Sequence, residues 1–185
     1  MPIRNSIDRW GSLSIGLHWL TVVMILSLVT VGFVMSDLPN TPFKRDVYLL
    51  HKSFGLTVLA LTALRLLWRV LQPTPALPES MPTSQRWAAR LGHAGLYGLM
   101  LAIPASGWLY NWASNFATPW FGFTVLARAG AVDRELKASA QLAHEWGVYA
   151  LLALLLTHAG AAFWHHYKLR DNTLVRMTPW MKSRS

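Results

Sequence analysis

The stretch of sequence that decides the fold is residues 144–167, HEWGVYALLALLLTHAGAAFWHHY. From Trp146 to Tyr167 it runs for 22 residues without Asp, Glu, Lys or Arg. A helix rises about 1.5 Å per residue and the apolar layer of a bilayer is about 30 Å thick, so about 20 such residues cross it. The stretch therefore predicts a membrane-spanning helix.

The remainder of the chain contains more stretches of this kind. Uncharged runs cover Gly11–Ser36 and Leu91–Ala127, and a shorter run, Ser53–Leu64, has apolar residues on both sides. We predict an all-α membrane protein, a four-transmembrane-helix bundle that forms a single domain over residues 1–185. The four predicted helices cover about 12–36, 47–70, 88–112 and 139–167.

Composition excludes several classes of protein. Hydrophobic residues make up 53% of the chain and charged residues only 14%, against about 25% charged in a typical soluble domain. A disordered chain is excluded, and an ordinary soluble domain is disfavoured. The chain has no cysteine, which also excludes disulfides, Cys-ligated iron–sulfur clusters, zinc ribbons and thioether-attached haem.

The basic residues predict the orientation. Four helices place both termini on one side, which then holds 11 of the 17 Lys and Arg residues: those of the N-terminus, of the 65–90 region and of the C-terminus. Lys and Arg favour the cytoplasmic side, so both termini are predicted to be cytoplasmic. The net charge of +9 is thus mainly an orientation signal and needs no nucleic-acid partner.

Two connections complete this topology. Residues 71–85 are rich in proline and predict a stiff cytoplasmic connection. Residues 113–138 predict the longest outer loop, and its Pro119-Trp120-Phe121 is typical of an interfacial aromatic patch.

Four histidines lie at paired depths in the predicted helices. His144 and His158 are 14 residues apart, which places them on one helix face, about 21 Å apart along the axis. On the predicted topology His144 is level with His51, and His158 is level with His18. This geometry suits two bis-histidine haems between facing helices. A metal-ion or proton path, or structural histidines, remain alternatives.

Three glycines fit the same interpretation weakly. Gly55 and Gly147 follow His51 and His144 by about one turn, and Gly32 is level with the outer pair. A glycine lets a porphyrin approach the backbone closely. Ordinary helix packing, in which small residues are common, is the favoured explanation for each glycine taken alone.

Short motifs along nearly the whole chain resemble one family. In chain order they are His18-Trp19-Leu20, His51-x-Ser53-x-Gly55, Arg65-Leu66-Leu67-x-Arg69, Pro73-Thr74-Pro75, Leu91-Gly92-His93, Pro119-Trp120-Phe121, His144-Glu145, His158, His165-His166-Tyr167 and Asp171-Asn172-Thr173-Leu174. Their order and spacing resemble the bacterial dihaem cytochrome b561 family, in particular its superoxide oxidase (superoxide:ubiquinone oxidoreductase) members.

The resemblance implies a cofactor set and an activity. It implies two noncovalent haem b groups, one ligated by His18 with His158 and the other by His51 with His144. It also implies an oxidoreductase of the bacterial inner membrane that oxidises periplasmic superoxide to dioxygen and passes the electrons to ubiquinone. No catalytic residue beyond the haems is then expected.

Further site residues follow from that activity. Because superoxide is an anion, Lys52, Arg134 and Lys137 are candidates for steering it, with solvated loop charges as the alternative. For the quinone we predict His93 and His165, with interfacial histidines as the alternative.

Arg65 is 14 residues after His51, which places it on the same helix face as His51 at the inner depth. It is a candidate partner of a haem propionate, and snorkelling to the headgroups is the alternative.

Two other functions remain open from the sequence. One is a haem-bearing electron-relay subunit of a larger dehydrogenase or hydrogenase, with no substrate of its own. The other is a transporter or channel that uses membrane histidines without haem.

Overall fold

The computed structural model describes residues 2–77, 81–126, 130–178 and 180–181. Its main elements are four long helices: α1 (Ser12–Met35), α2 (Pro42–Leu71), α3 (Thr83–Ala113) and α4 (Arg134–Trp164). A single π-helical turn, His165–Leu169, continues α4, and a hairpin of β1 (Thr118–Trp120) and β2 (Phe123–Leu126) lies between α3 and α4. The all-helical architecture is thus confirmed, with a small hairpin that the sequence did not predict.

Two helices begin at side-chain caps that precede the predicted spans. The Thr41 hydroxyl accepts a hydrogen bond from the Lys44 amide, and Pro42 occupies the first turn of α2. The Asp133 carboxylate caps α4 by accepting from the Leu136 amide at 3.0 Å. Such caps satisfy amides that have no partner in the first turn. Both helices therefore extend past the uncharged run that predicted them.

Three of the four helices are apolar and long enough to cross a membrane: α1, α2 and α4 with its π-helical turn. The helix α3 has 31 residues and a length of about 46 Å. Glycines, His93, Tyr97 and Pro104 lower its hydropathy. That α3 also spans the membrane stays a prediction, as does the side on which each end lies.

The buried core is a layer at mid-height of the bundle to which every helix contributes. Its members are Ile25, Val58, Leu96, Met100, Ile103 and Leu151. Three of them stand seven residues from a candidate haem ligand: Ile25 after His18, Val58 after His51, and Leu151 midway between His144 and His158. Seven residues are about two helical turns, so this apolar layer separates the two histidine depths.

At one end of the bundle the N-terminal segment, the α2–α3 connection and the C-terminal segment pack together, and we call it the termini end. The Asn5 side chain donates to the Pro73 carbonyl at 3.2 Å. The Trp19 indole donates to the Met177 carbonyl at 2.7 Å. The described parts of the N-terminal and C-terminal segments therefore lie at the same end of the bundle.

The opposite end carries the β1–β2 hairpin, and we call it the hairpin end. Trp120 pairs with Phe123 across a two-residue loop, in which Phe121 and Gly122 both have positive φ, as in the tight turns that suit hairpins. The hairpin is attached to α2, since the Trp120 indole donates to the Thr57 hydroxyl and the Phe121 amide donates to the Ser53 hydroxyl.

Candidate functional site

The imidazoles of His51 on α2 and His144 on α4 face each other at the hairpin end. Their ring centroids are 6.3 Å apart. A metal–imidazole bond is about 2.0–2.1 Å long and the nitrogen lies about 1.2 Å from the ring centre, so two imidazoles on one metal have centroids about 6.3–6.5 Å apart. The pair therefore has the spacing that a bis-histidine iron requires.

The backbone of α3 fixes the orientation of the His144 ring. Its Nδ1–H donates to the Ile103 carbonyl oxygen at 2.8 Å, which leaves Nε2 with a free lone pair. A histidine that binds a metal usually makes such a bond with its other nitrogen. Gly107 makes room for the ring, because a Cβ there would lie 3.0 Å from both Cε1 and Nδ1 of His144.

A cavity of about 420 Å³ opens around this pair. His51 and His144 line it together with Gly32, Gly55 and Gly107, and it reaches the core layer at Ile25, Val58 and Leu151. Among the described residues, the buried Nδ1 of His51 has no hydrogen-bond partner. A haem between the two imidazoles therefore fits both the space and the nitrogen chemistry of this end.

The three glycines that the sequence suggested play different parts. Gly55 lines the cavity and has open space where a Cβ would stand. A Cβ on Gly32 would contact the His51 ring at 3.4 Å. At Gly147 a Cβ would meet Ile103 at 2.9 Å, so close helix packing explains that glycine.

The second pair lies at the termini end. The ring centroids of His18 on α1 and His158 on α4 are 6.4 Å apart, again the spacing of two imidazoles on one metal. His93 on α3 lies closer, with its centroid 5.3 Å from that of His158, too short for an iron between the two rings. The structure thus places His93, which was predicted for the quinone, next to the predicted pair of His18 and His158.

Arg65 reaches from α2 to the same cluster. Its Nη2 is 3.0 Å from Nδ1 of His18, and its guanidinium lies 5.4 Å from the Tyr97 ring centre. A guanidinium can only donate, so in this contact the His18 Nδ1 accepts and Nε2 carries the proton. Iron ligation through Nε2 needs the opposite tautomer, in which Arg65 has to find another acceptor.

The imidazoles of each pair belong to helices that are not close neighbours in the described part of the chain. A cavity of about 420 Å³ lies at the hairpin end, whereas the cavity beside Arg65 at the termini end is about 20 Å³. The helices pack closely as α1 with α2, α2 with α3, and α3 with α4. Within the described residues, the pairs that carry the facing imidazoles, α1 with α4 and α2 with α4, are not among these close contacts. The imidazoles therefore face each other across gaps between helix backbones.

The three candidate steering residues have different surroundings. Lys52 lines the cavity and donates to the Asn111 side-chain oxygen at 2.6 Å. The ammonium of Lys137 lies 5.6 Å from the ring centre of Tyr110, a cavity-lining residue. Arg134 is exposed at the start of α4. Asn111 was not among the residues predicted from the sequence, although a polar side chain in an uncharged run is itself a functional signal.

His165 is bound to an acidic partner that the sequence analysis had not paired with it. Its Nδ1–H donates to the Asp171 carboxylate at 2.5 Å, and the Thr173 amide donates to the other oxygen of that carboxylate. Burial alone would raise the pKa of Asp171, but these hydrogen bonds outweigh it and lower that pKa. The π-helical turn followed by a left-handed Arg170 folds Asp171 back onto His165.

Comparison with known proteins shows the family of the chain. The family model of prokaryotic cytochrome b561 matches residues 9–180. Cytochrome b561 homolog 2 of Escherichia coli K12 is 32% identical over 96% of this chain and 95% of its own length. Cytochrome b561 homolog 1 of the same organism is 32% identical over 95% of this chain and 99% of its own.

A third relative carries a more specific name. The Probable superoxide oxidase CybB of Yersinia pestis is 27% identical over 92% of this chain and 96% of its own length. The family match covers most of the chain, and cytochromes b561 are membrane proteins that bind haem b and transfer electrons. The chain, with its facing imidazoles between long apolar helices, therefore belongs to the prokaryotic cytochrome b561 family.

Proposed function

We propose that the protein is a dihaem b-type cytochrome that carries electrons across the bacterial inner membrane. The main support for this proposal is that nearly the same distance between imidazole ring centroids occurs at two depths. It is 6.4 Å for His18 with His158 and 6.3 Å for His51 with His144. Each pair would hold one haem iron between its two imidazoles, and α4 supplies one histidine to each pair. Haem bound in this way supplies one-electron redox chemistry at an iron without an open coordination position.

Different contacts act on the histidine tautomer in the two pairs. At the hairpin end the Ile103 carbonyl holds the His144 tautomer that leaves Nε2 available. At the termini end Arg65 contacts His18 through the nitrogen that must carry the proton when Nε2 binds iron. With haem bound, the Arg65 guanidinium would instead pair with a propionate, for which its planar donor geometry is suited.

For the substrates we propose superoxide at the hairpin end and ubiquinone at the termini end, with both termini cytoplasmic. The name of the Yersinia pestis relative supports superoxide, and so does the cationic Lys52 in the cavity beside His51. Lys137 at the rim and the exposed Arg134 add positive charge that attracts an anion. Two superoxide ions each release one electron and leave as dioxygen.

Ubiquinone takes up these two electrons together with two protons. We propose His93 and His165 as the groups that hold those protons. The His93 ring lies against His158, one of the proposed ligands. The Asp171 carboxylate orients His165, as a carboxylate commonly orients an acid–base histidine.

The experiment that tests this proposal has two parts. Purified protein is first assayed for haem per chain, and we expect two b haems in the wild type. We expect one haem in each of His51→Ala and His18→Ala, since each variant removes one ligand pair. A variant of His166, which is not a proposed ligand, serves as the control and should keep both haems. Two haems retained in His51→Ala would refute the ligand assignment.

The second part measures quinone reduction driven by superoxide. We expect the purified protein to reduce ubiquinone when superoxide is supplied, and we expect superoxide dismutase to suppress the reaction. The double variant His93→Ala/His165→Ala should keep its haem spectrum and lose quinone reduction. A normal dihaem spectrum without superoxide-driven quinone reduction in the wild type would instead indicate a relay subunit.

A further inference from the structure

Lys52 is a cation inside the cavity of the hairpin end. It follows His51 directly in α2, is half-buried, and lines the same cavity as His51 and His144. In the part of the chain that the structure describes, no carboxylate lies within ion-pair distance of its ammonium. A charge held in an apolar span without an opposite charge is costly, and such residues generally serve a function.

Asn111 fixes the position of this ammonium. Its side chain is 2% exposed. The amide nitrogen donates to the Phe116 and Ala117 carbonyls at 3.2 Å each and to the Thr118 hydroxyl at 2.9 Å. With the nitrogen tied to the start of the hairpin segment, the oxygen is left to accept from the Lys52 ammonium at 2.6 Å.

The contacts of the Lys52 ammonium use only part of its hydrogen-bonding capacity. An ammonium has three donors and a full positive charge. Asn111 uses one donor and adds no negative charge, and the Phe116 ring, 5.5 Å from Nζ, interacts only weakly. Glu145 lines the same cavity and accepts from the Gln141 side chain. The arrangement therefore holds a cation at the cavity wall with no carboxylate of the described residues within ion-pair distance.

We infer that Lys52, held by Asn111, forms an anion-binding position in the cavity beside His51 and His144. Its ligand is an anionic oxygen. This inference rests on the proposed function for the identity of the occupant, which is either superoxide that has entered the cavity or a carboxylate of the bound haem. Lys52 contacts the anion, and Asn111 is a positioning residue.

The test uses two small reductants of opposite charge on the air-oxidised holoprotein. Dithionite acts through the sulfur dioxide radical anion, whereas reduced methyl viologen is a cation. Stopped-flow absorbance gives the rate of haem reduction by each. The variants are Lys52→Met, Asn111→Leu and the matched control Lys44→Met. The control removes the same charge from the first turn of α2 at the same end, where the Lys44 ammonium donates to the Ser36 and Leu38 carbonyls.

If the occupant of the position is a small anion from solution, we expect Lys52→Met and Asn111→Leu to slow haem reduction by the radical anion about tenfold. The reason is that a charge-assisted hydrogen bond to the anion is lost. Reduction by the viologen cation should not become slower in either variant. The midpoint potentials should stay unchanged in Asn111→Leu, which keeps the positive charge, and every value should stay unchanged in Lys44→Met. A fall in the midpoint potential of one haem in Lys52→Met, with both reductants slowed alike, would identify the haem carboxylate as the anion.

The inference is overturned if Lys52→Met matches Lys44→Met in both rates and in both potentials. Should Asn111→Leu fail to fold because its loop bonds are lost, Lys52→Met still decides, since it leaves those bonds in place. A wild type that does not react with superoxide would refute the proposed substrate. The ratio of the two reduction rates would still test the anion position.

Discussion

Replacing Gly107 by alanine tests how the His144 ring is held. The added Cβ would lie 3.0 Å from Cε1 and Nδ1 of His144, closer than ordinary van der Waals contact. The ring has to shift by a few tenths of an ångström or turn, and its 2.8 Å hydrogen bond to the Ile103 carbonyl is then strained or broken. Overpacking of this kind costs about 1–3 kcal/mol.

The expected effect on haem binding follows from that hydrogen bond. Loss of an outer partner of a metal-bound histidine typically weakens metal affinity by about 10–100-fold, which corresponds to about 1.4–2.7 kcal/mol. We therefore expect Gly107→Ala to lose the hairpin-end haem on dilution in detergent and to keep the other haem. The assay is haem per chain by pyridine haemochrome, with a reduced-minus-oxidised spectrum over a dilution series.

Gly98→Ala is the matched control. Gly98 lies on the same helix, and a Cβ there would meet no atom within 4 Å. Both changes gain the same helix propensity, about 0.5–1 kcal/mol in favour of alanine, so the difference between them reports the contact with His144. If Gly107→Ala keeps both haems with the affinity of Gly98→Ala, His144 is not a ligand held by the Ile103 carbonyl.

Three further changes test other parts of the structure. Asp171→Asn should lower the unfolding temperature at pH 7. The folded-state pKa of Asp171 is depressed, so its stabilisation is present above the unfolded value of about 3.9 and is lost as pH falls through the folded value. The difference in unfolding temperature between Asp171→Asn and the wild type should thus shrink below about pH 4. A difference that does not change with pH in thermal scans would contradict this. Asn5→Ala should destabilise the protein by about 1–3 kcal/mol, because the buried Asn5 oxygen accepts from the Gly11 amide and the Ser14 hydroxyl. An unchanged thermal midpoint would show that the termini end does not depend on Asn5. Arg65→Met should lower the midpoint potential of one haem in a redox titration, because a nearby cation favours the reduced iron. Two unchanged potentials would place Arg65 away from both haems.

The histidine pairing could be predicted because it depends only on helix periodicity and on the depth of each residue in its predicted span. A separation of 14 residues places His144 and His158 on one face, and uncharged runs set the depth of His18 and His51. The same arithmetic could have placed the core layer at Ile25, Val58 and Leu151, seven residues from the histidines.

The remaining contacts depend on how α3 is rotated and on how the loop folds. The Ile103 carbonyl and Gly107 lie against His144 only because of the rotation of α3, which its mixed sequence does not fix. The hairpin needs positive φ at Phe121 as well as at Gly122, and phenylalanine rarely adopts it. The bond between Lys52 and Asn111 joins residues 59 apart in sequence, so only the tertiary structure shows it.

Because α4 supplies a histidine to both pairs, the number of residues between His144 and His158 cannot change freely. One residue inserted between His144 and His158 would turn one of them by about 100° around the helix and remove it from its partner. A change of three or four residues would nearly restore the face but would move the pairs apart or together by about 5 Å. Adaptation to a thicker or thinner membrane is therefore expected at the helix ends, outside the segment between these two histidines.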